Sequence, residues 1–479
     1  MSVLQHPTDL RARIIVALVL APAAGLAGLL AGAPAAAAAG PVYAAVTAAG
    51  TGSCADPADA CTLSTALGQV TPGGVVQLIT PGNSARYVGN WAVSTAGTSV
   101  SAPVTIEPLP GLSSEPILDG GGFDPPPGTC STASCSGPVL TVPAGEDVAL
   151  AGVTIADAYT TGPTGGGLSA AGTVTVTGAT FSHNHGGDGG AIDSGDGYYG
   201  GGTGTVTVTG STFTGNTAGG GGAIDSGTYG GGGSVTVSAS TFTGNTAADG
   251  GAIDSGDGCG SGGSVTVSRS TFTGNTATAG RGESADGGAI DSGTYGGGGS
   301  VTVYASTFTG NTAKDDGGAI GSGIGGCPAE GLEGGGSVTV TASTFGSNTD
   351  VNGPVLGGTI DNAEQGRVTA AADVFDGSCN QLGGTWDDQG YNAGSDSSCF
   401  AAPAPASDVD AGSAAALALG PLAANGGPTQ TVMPQPGSPV IGIIPSNTLG
   451  YLVRPGPEPP RIPISTRQLT RRRLLRTIG

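Results

Sequence analysis

A phenylalanine recurs through the middle of this 479-residue chain at positions 181, 213, 242, 272, 308, 345 and 375. The intervals are 32, 29, 30, 36, 37 and 30 residues. A second marker, the isoleucine of Gly-Gly-Ala-Ile, falls at 192, 224, 253, 290 and 320, with Gly-Gly-Thr-Ile at 360. A period near 30 belongs to stacked solenoid units, because one such unit cannot bury its own apolar face. Within a unit the alternation has period two. Val235 and Val237 share one face, and Ser234, Thr236 and Ser238 share the other. Ile224 reads as inward and Asp225 as outward. Phe242 reads as inward, with Asn245 at the following turn. Three short strands separated by glycine-rich turns result. The 95 glycines disfavour helix, and 4% aromatic content disfavours a wide core. The expectation is an all-β chain: a right-handed parallel β-helix with three strands per coil, equivalent residues lying about 4.8 Å apart along the axis. Asn216, Asn245, Asn275 and Asn311 are placed to stack as an amide ladder.

Charge narrows the partners. Between positions 40 and 450 five basic residues stand against 33 acidic ones, a net charge near −28. That argues against nucleic acid and anionic headgroups as ligands. Residues 1–39 read as a secretory leader: Arg11 and Arg13, then an apolar run from Ile14, then small residues for cleavage near Ala39. No later apolar run is long enough to span a membrane. The eight cysteines behind this leader suggest disulfides, Cys54 with Cys61, Cys130 with Cys135 and Cys379 with Cys399. Cys259 and Cys327 sit about two coils apart, roughly 9–10 Å, beyond ordinary disulfide reach.

The repeated Gly-Gly-Ala-Ile and Phe-Thr-Gly-Asn motifs between Phe181 and Ile320 resemble the repeats of polymorphic outer-membrane proteins, a family of bacterial surface β-helices. The stretch GTGSCADPADACTLSTALGQV resembles the start of secreted bacterial β-helix proteins of the choice-of-anchor Q type. The segment from Leu419 resembles that family's C-terminal part. The resemblance implies an exported protein, secreted or at the cell surface. CTLSTALGQV reads as a short amphipathic helix capping the open end of the solenoid. The layout is then a leader (1–39), a cap with the first coils (40–118), the repeat body (119–400), a C-terminal cap segment (401–453) and a Pro/Arg-rich tail (454–479) whose composition fits disorder.

Three functions follow from these features. The main reading is an adhesin-like binding role toward a host or environmental glycan or protein surface. The alternative is a carbohydrate-active enzyme, a polysaccharide lyase or hydrolase. For a lyase the repeats offer Arg269, Arg281 and Lys314, scattered around the coil. A hydrolase needs two carboxylates at a defined separation, and a catalytic site should break the repeat rather than obey it. The minor alternative is ice binding by the outward Thr207, Thr236, Thr266, Thr302 and Thr339, although threonine is also an ordinary outward strand residue. His183–His185 occupies the place of Thr-Gly-Asn in other coils and reads as a structural variation. Asp188, Asp193, Asp196, Asp225, Asp249, Asp254, Asp257 and Asp291 fall around one corner, and Ca²⁺ is the cation such carboxylates suit. Protonation of some of them is a further way to avoid repulsion, and splaying into solvent is the simplest.

Overall fold

A computed structural model describes residues 40–79, 86–93, 102–122, 137–195, 203–227, 232–256, 262–278, 285–293, 298–322, 335–352, 358–363, 365–381 and 383–444. The described residues form one compact unit. The leader, the tail after 444, and Cys130, Cys135, Cys259, Cys327, Asp196 and Asp257 lie outside the described residues.

The unit is a right-handed parallel β-helix, built on three long parallel sheets of thirteen, twelve and nine strands. One coil shows the path. Thr205–Thr209 contributes to the first sheet, Thr212–Thr214 to the second and Ile224–Asp225 to the third. The chain then returns to Ser234–Ser238, which pairs with Thr205–Thr209 without a register shift. We call these the Val, Phe and Ile sheets after their inward residues. Four coils add a fourth short strand, Thr246–Ala247, Thr276–Ala277, Thr312–Ala313 and Thr349–Asp350, beyond the three expected.

The core is a set of single-residue columns. Phe181, Phe213, Phe242, Phe272, Phe308, Phe345 and Phe375 are fully buried, with ring centroids 4.6–5.4 Å apart. Their planes differ by 2–4° from Phe181 to Phe308, and the centroid spacing there of 4.6–4.9 Å matches the strand spacing of about 4.8 Å. The column therefore runs straight from coil to coil, with little sideways slip. Stacking identical side chains demands this, since slip between coils would carry each ring off the next.

Two polar ladders hold the corners. At the exit of the Phe sheet, Asn245 Nδ2 donates to Asn275 Oδ1 at 2.9 Å and to the Phe213 carbonyl at 3.2 Å. Its Oδ1 accepts from Asn216 N at 3.0 Å and Asn216 Nδ2 at 2.9 Å. The same pattern runs from Asn184 through Asn216, Asn275 and Asn311 to Asn348. Gly215 and Gly244 precede these asparagines with φ of +61° and +62°, a left-handed corner in which a side chain is strained. At the other corner Ser240 N donates to Ser270 Oγ, and Ser270 N to Ser306 Oγ, both at 3.2 Å. Asp373 takes the serine's place near the C-terminal end, accepting from Ser343 N at 2.7 Å and Ala371 N at 2.9 Å. Burial pushes its carboxyl up to about 8.

The helix Leu63–Gln69 closes the N-terminal end. Thr62 caps it by accepting from Thr65 N, and Leu63, Ala66 and Leu67 join the same core as Val76 and Leu78. The Cys54–Cys61 disulfide, Cα atoms 4.7 Å apart, ties its entry. Cys379–Cys399, at 4.9 Å, ties the last coils. Beyond them the hairpin Leu419–Ala423 and Thr431–Pro434 turns back along the Phe sheet. There Thr429 Oγ1 donates to the Arg269 carbonyl at 3.1 Å, and Thr271 Oγ1 donates to Gln430 O at 2.5 Å.

Candidate functional site

The aspartates named from the repeat form two neighbouring columns. Asp193, Asp225, Asp254 and Asp291 are successive partners in the Ile sheet. They are 0–2% exposed, which corrects the expectation that Asp225 points into solvent. The reason is the glycine run before each isoleucine, which lies over the carboxylates. A Cβ on Gly220 would come within 3.0 Å of Asp225 Oδ2 and 3.5 Å of Asp254 Oδ2. Each of these aspartates also accepts from the backbone N two residues on, as Gly227 N does to Asp225 Oδ1 at 2.7 Å.

Five residues upstream, Asp188 is half-buried and Asp249 and Asp286 are buried. Asp286 pairs with Asp316 in the next coil. Asp286, Asp316 and Asp361 were missed from the sequence, although the Asp-x4-Asp spacing of 249 and 254 recurs at 286 and 291. Gly321 interrupts the inner column between Asp291 and Asp361. Across that gap Asp361 hydrogen-bonds Asp316, and Asn380 Nδ2 donates to its Oδ2 at 2.7 Å. Burial, with the charge of Asp316, pushes the Asp361 carboxyl up to about 7, and burial raises Asp316 too. Among the described residues no group of three or more His, Cys, Asp and Glu side chains is disposed to hold a metal ion.

A different set of residues breaks the repeat. At the N-terminal coils the corner that carries Gly215 and Gly244 farther along carries Asp157 and His183, both left-handed with φ of 54°. The threonine column of Thr217 and Thr246 becomes His185 and Tyr159. Tyr159 and His185 stack with centroids 4.9 Å apart and planes 15° from parallel. His185 Nδ1 lies 2.8 Å from Thr217 Oγ1, and burial lowers the imidazole pKa, so the ring is neutral at neutral pH. Arg86, two coils before Asp157, donates from Nε to Asp119 and from Nη2 to Asp157. Asp119 is 6% exposed and also accepts from Gly121 N at 2.7 Å. Tyr159 remains 38% exposed.

This corner thus carries a planar ring pair, a guanidinium fixed by two carboxylates, and an exposed imidazole at His183. It divides the His-Asn-His run. Asn184 belongs to the amide ladder, donating to Asn216 Oδ1 at 3.0 Å, while the two histidines face outward at the corner. The scattered bases stay scattered. Arg269 underlies the C-terminal hairpin, Lys314 is exposed beside the aspartate columns, and Arg281 lies outside the described residues.

No family model and no curated protein matches the chain. Solved structures of similar fold include three lyases. The pectate lyase Pel9A is 14% identical, covers 75% of each chain and has a TM-score of 0.33. An alginate lyase from Paenibacillus sp. str. FPU-7 is 14% identical over 73% of this chain and 98% of its own, with a TM-score of 0.27. A mannuronic acid specific polysaccharide family 6 lyase from human gut microbiota is 12% identical over 69% and 84%, with a TM-score of 0.28. Likeness at this level says nothing of activity. No helix among the described residues is long and apolar enough to cross a membrane.

Proposed function

We propose that the chain is an exported β-helix protein that binds a neutral polysaccharide at its N-terminal corner. The observation that carries this reading is the break in the repeat. Arg86, Asp119, Asp157, Tyr159, His183 and His185 gather where later coils carry glycine and threonine. Sugars are recognised by flat rings with fixed hydrogen-bonding groups beside them, and this corner supplies both. The two disulfides support an oxidising, extracellular setting.

Charge supports a neutral ligand over a uronate. Arg86 is held by two carboxylates, so that trio carries net negative charge, and the surrounding body is acidic. An anionic polymer meets repulsion there.

A polysaccharide array run beside an assay for reducing ends tests the proposal. Binding to neutral glycans, weakened about fivefold in Tyr159→Ala from a loss of about 1 kcal/mol, is expected. Binding that ignores Tyr159 and Arg86 overturns it. Release of reducing ends or unsaturated uronates replaces it with the enzymatic reading.

A further inference from the structure

We propose that the outer face of the Val sheet, from Thr173 to Thr341, is an ice-binding surface. This face lies on a different sheet from the N-terminal corner and does not depend on the glycan reading. Six consecutive strands pair here without a register shift: Thr173–Thr177, Thr205–Thr209, Ser234–Ser238, Ser264–Ser268, Ser300–Tyr304 and Ser337–Thr341. Each presents three outward residues. Every one of these is serine or threonine except Tyr304, at one edge. The central column, Thr175, Thr207, Thr236, Thr266, Thr302 and Thr339, is threonine without interruption. In a chain with 35 acidic residues, none of the outward positions on these six strands carries charge.

The array is also regular. Ring centroids in the adjoining Phe sheet keep 4.6–4.9 Å from coil to coil between Phe181 and Phe308, the strand spacing itself, so the coils behind these hydroxyls stack with little sideways slip. Hydroxyls repeat every ~4.8 Å between strands and every ~6.6 Å along them, over a field of about 24 by 13 Å. Threonine holds few χ1 rotamers, so each methyl and hydroxyl pair is pre-ordered. Edge-column hydroxyls can also join laterally, as Thr209 Oγ1 and Ser238 Oγ do at 3.0 Å.

A rigid, neutral array that repeats in two directions complements a neutral partner that does the same. Ice fits, because ranks of hydroxyls hold bridging waters in fixed positions and those waters extend the lattice of the solid. A glycan fits poorly. Tyr304 is the one ring on the face, and sugar rings draw their contact from aromatic surfaces.

The test uses the mature chain with fluorescent label on a growing ice crystal, together with freezing hysteresis. Wild type is expected to adsorb, shape the crystal into facets and depress its growth temperature. Thr236→Lys with Thr266→Lys should abolish all three while leaving the circular dichroism and melting curve unchanged, because both side chains face solvent. If the lysine pair disturbs folding, Thr236→Val with Thr266→Val removes the hydroxyls at constant shape and should weaken adsorption. Tyr159→Ala should adsorb as wild type does. Failure of wild type to adsorb overturns the proposal. So does adsorption that survives both threonine pairs, or retention on crystalline polysaccharide in place of ice.

Discussion

Replacing Asn245 with alanine tests whether the amide ladder is a main source of stability. Asn245 sits in mid-ladder with no solvent exposure. Its side chain makes four hydrogen bonds: Nδ2 to Asn275 Oδ1 and the Phe213 carbonyl, and Oδ1 from Asn216 N and Nδ2. Asn275 Oδ1 keeps a partner in the variant, because Asn245 N also donates to it at 3.0 Å. Asn216 Nδ2 keeps the Phe181 carbonyl at 3.1 Å. One buried group is left without its partner, the Asn216 N–H, while the Phe213 carbonyl keeps its ladder bond from Thr243 N. At about 1–3 kcal/mol for the orphaned group and about 1 kcal/mol for the lost bond to the Phe213 carbonyl, the cost is about 2–4 kcal/mol. Exposed Thr236→Ala on the same coil should stay within about 0.5 kcal/mol. Equilibrium urea unfolding reads the cost, and amide exchange at Asn216 locates it. Adding Asn216→Ala should cost less than the sum of the two singles, because they share bonds. A loss below about 1 kcal/mol with unchanged exchange at Asn216 would refute the argument, since it would mean that water reaches the corner.

Phe272→Ala opens a cavity between two stacked rings and should cost about 3–5 kcal/mol in the same urea experiment; a smaller loss would show that the coils collapse onto the gap. Asp361 and Asp373, with folded values pushed up to about 7 and about 8, bind protons more tightly folded than unfolded. Their contribution is fully present below the ordinary carboxylate value and is lost as pH rises through those values, so unfolding free energy should fall between about pH 4 and 8. Asp373→Ser, which restores the residue found in the preceding coils, should flatten the upper part of that fall. Among the described residues no group of side chains in the aspartate columns is disposed to hold a metal ion, so melting curves in calcium and in chelator should superimpose. A calcium-dependent rise that Asp225→Asn with Asp254→Asn abolishes would refute this.

Much of the architecture is legible before any coordinate. A phenylalanine every 29 to 37 residues, with Val-Thr-Val alternation between, dictates both the stacking and the inward face. Thr62 followed by an apolar run marks the capping helix. What the pattern cannot convey is what lies over an outward side chain. Asp225 alternates with Ile224 and so reads as solvent-facing. It is buried because the glycine run before its isoleucine, lacking side chains, passes close over it. The pairing of Asp316 with Asp361 is likewise invisible, since it depends on the space above Gly321.

The N-terminal corner was missed for a related reason. Arg86, Asp119, Asp157, Tyr159 and His185 lie in coils whose sequences match the repeat poorly, so no alignment places them in one column. Only the pairing of strands across four coils brings Arg86 to Asp157 and Tyr159 to His185. The straight stack is also a tertiary property. Identical residues permit it, but ring-on-ring packing from Phe181 to Phe308 keeps each coil over the last and so helps to hold the threonines outside in their ranks. Periodicity is a local, one-dimensional property that the chain carries in its sequence. Burial, proximity between coils and straight stacking depend on what neighbouring coils do, and they exist only once the coils are stacked.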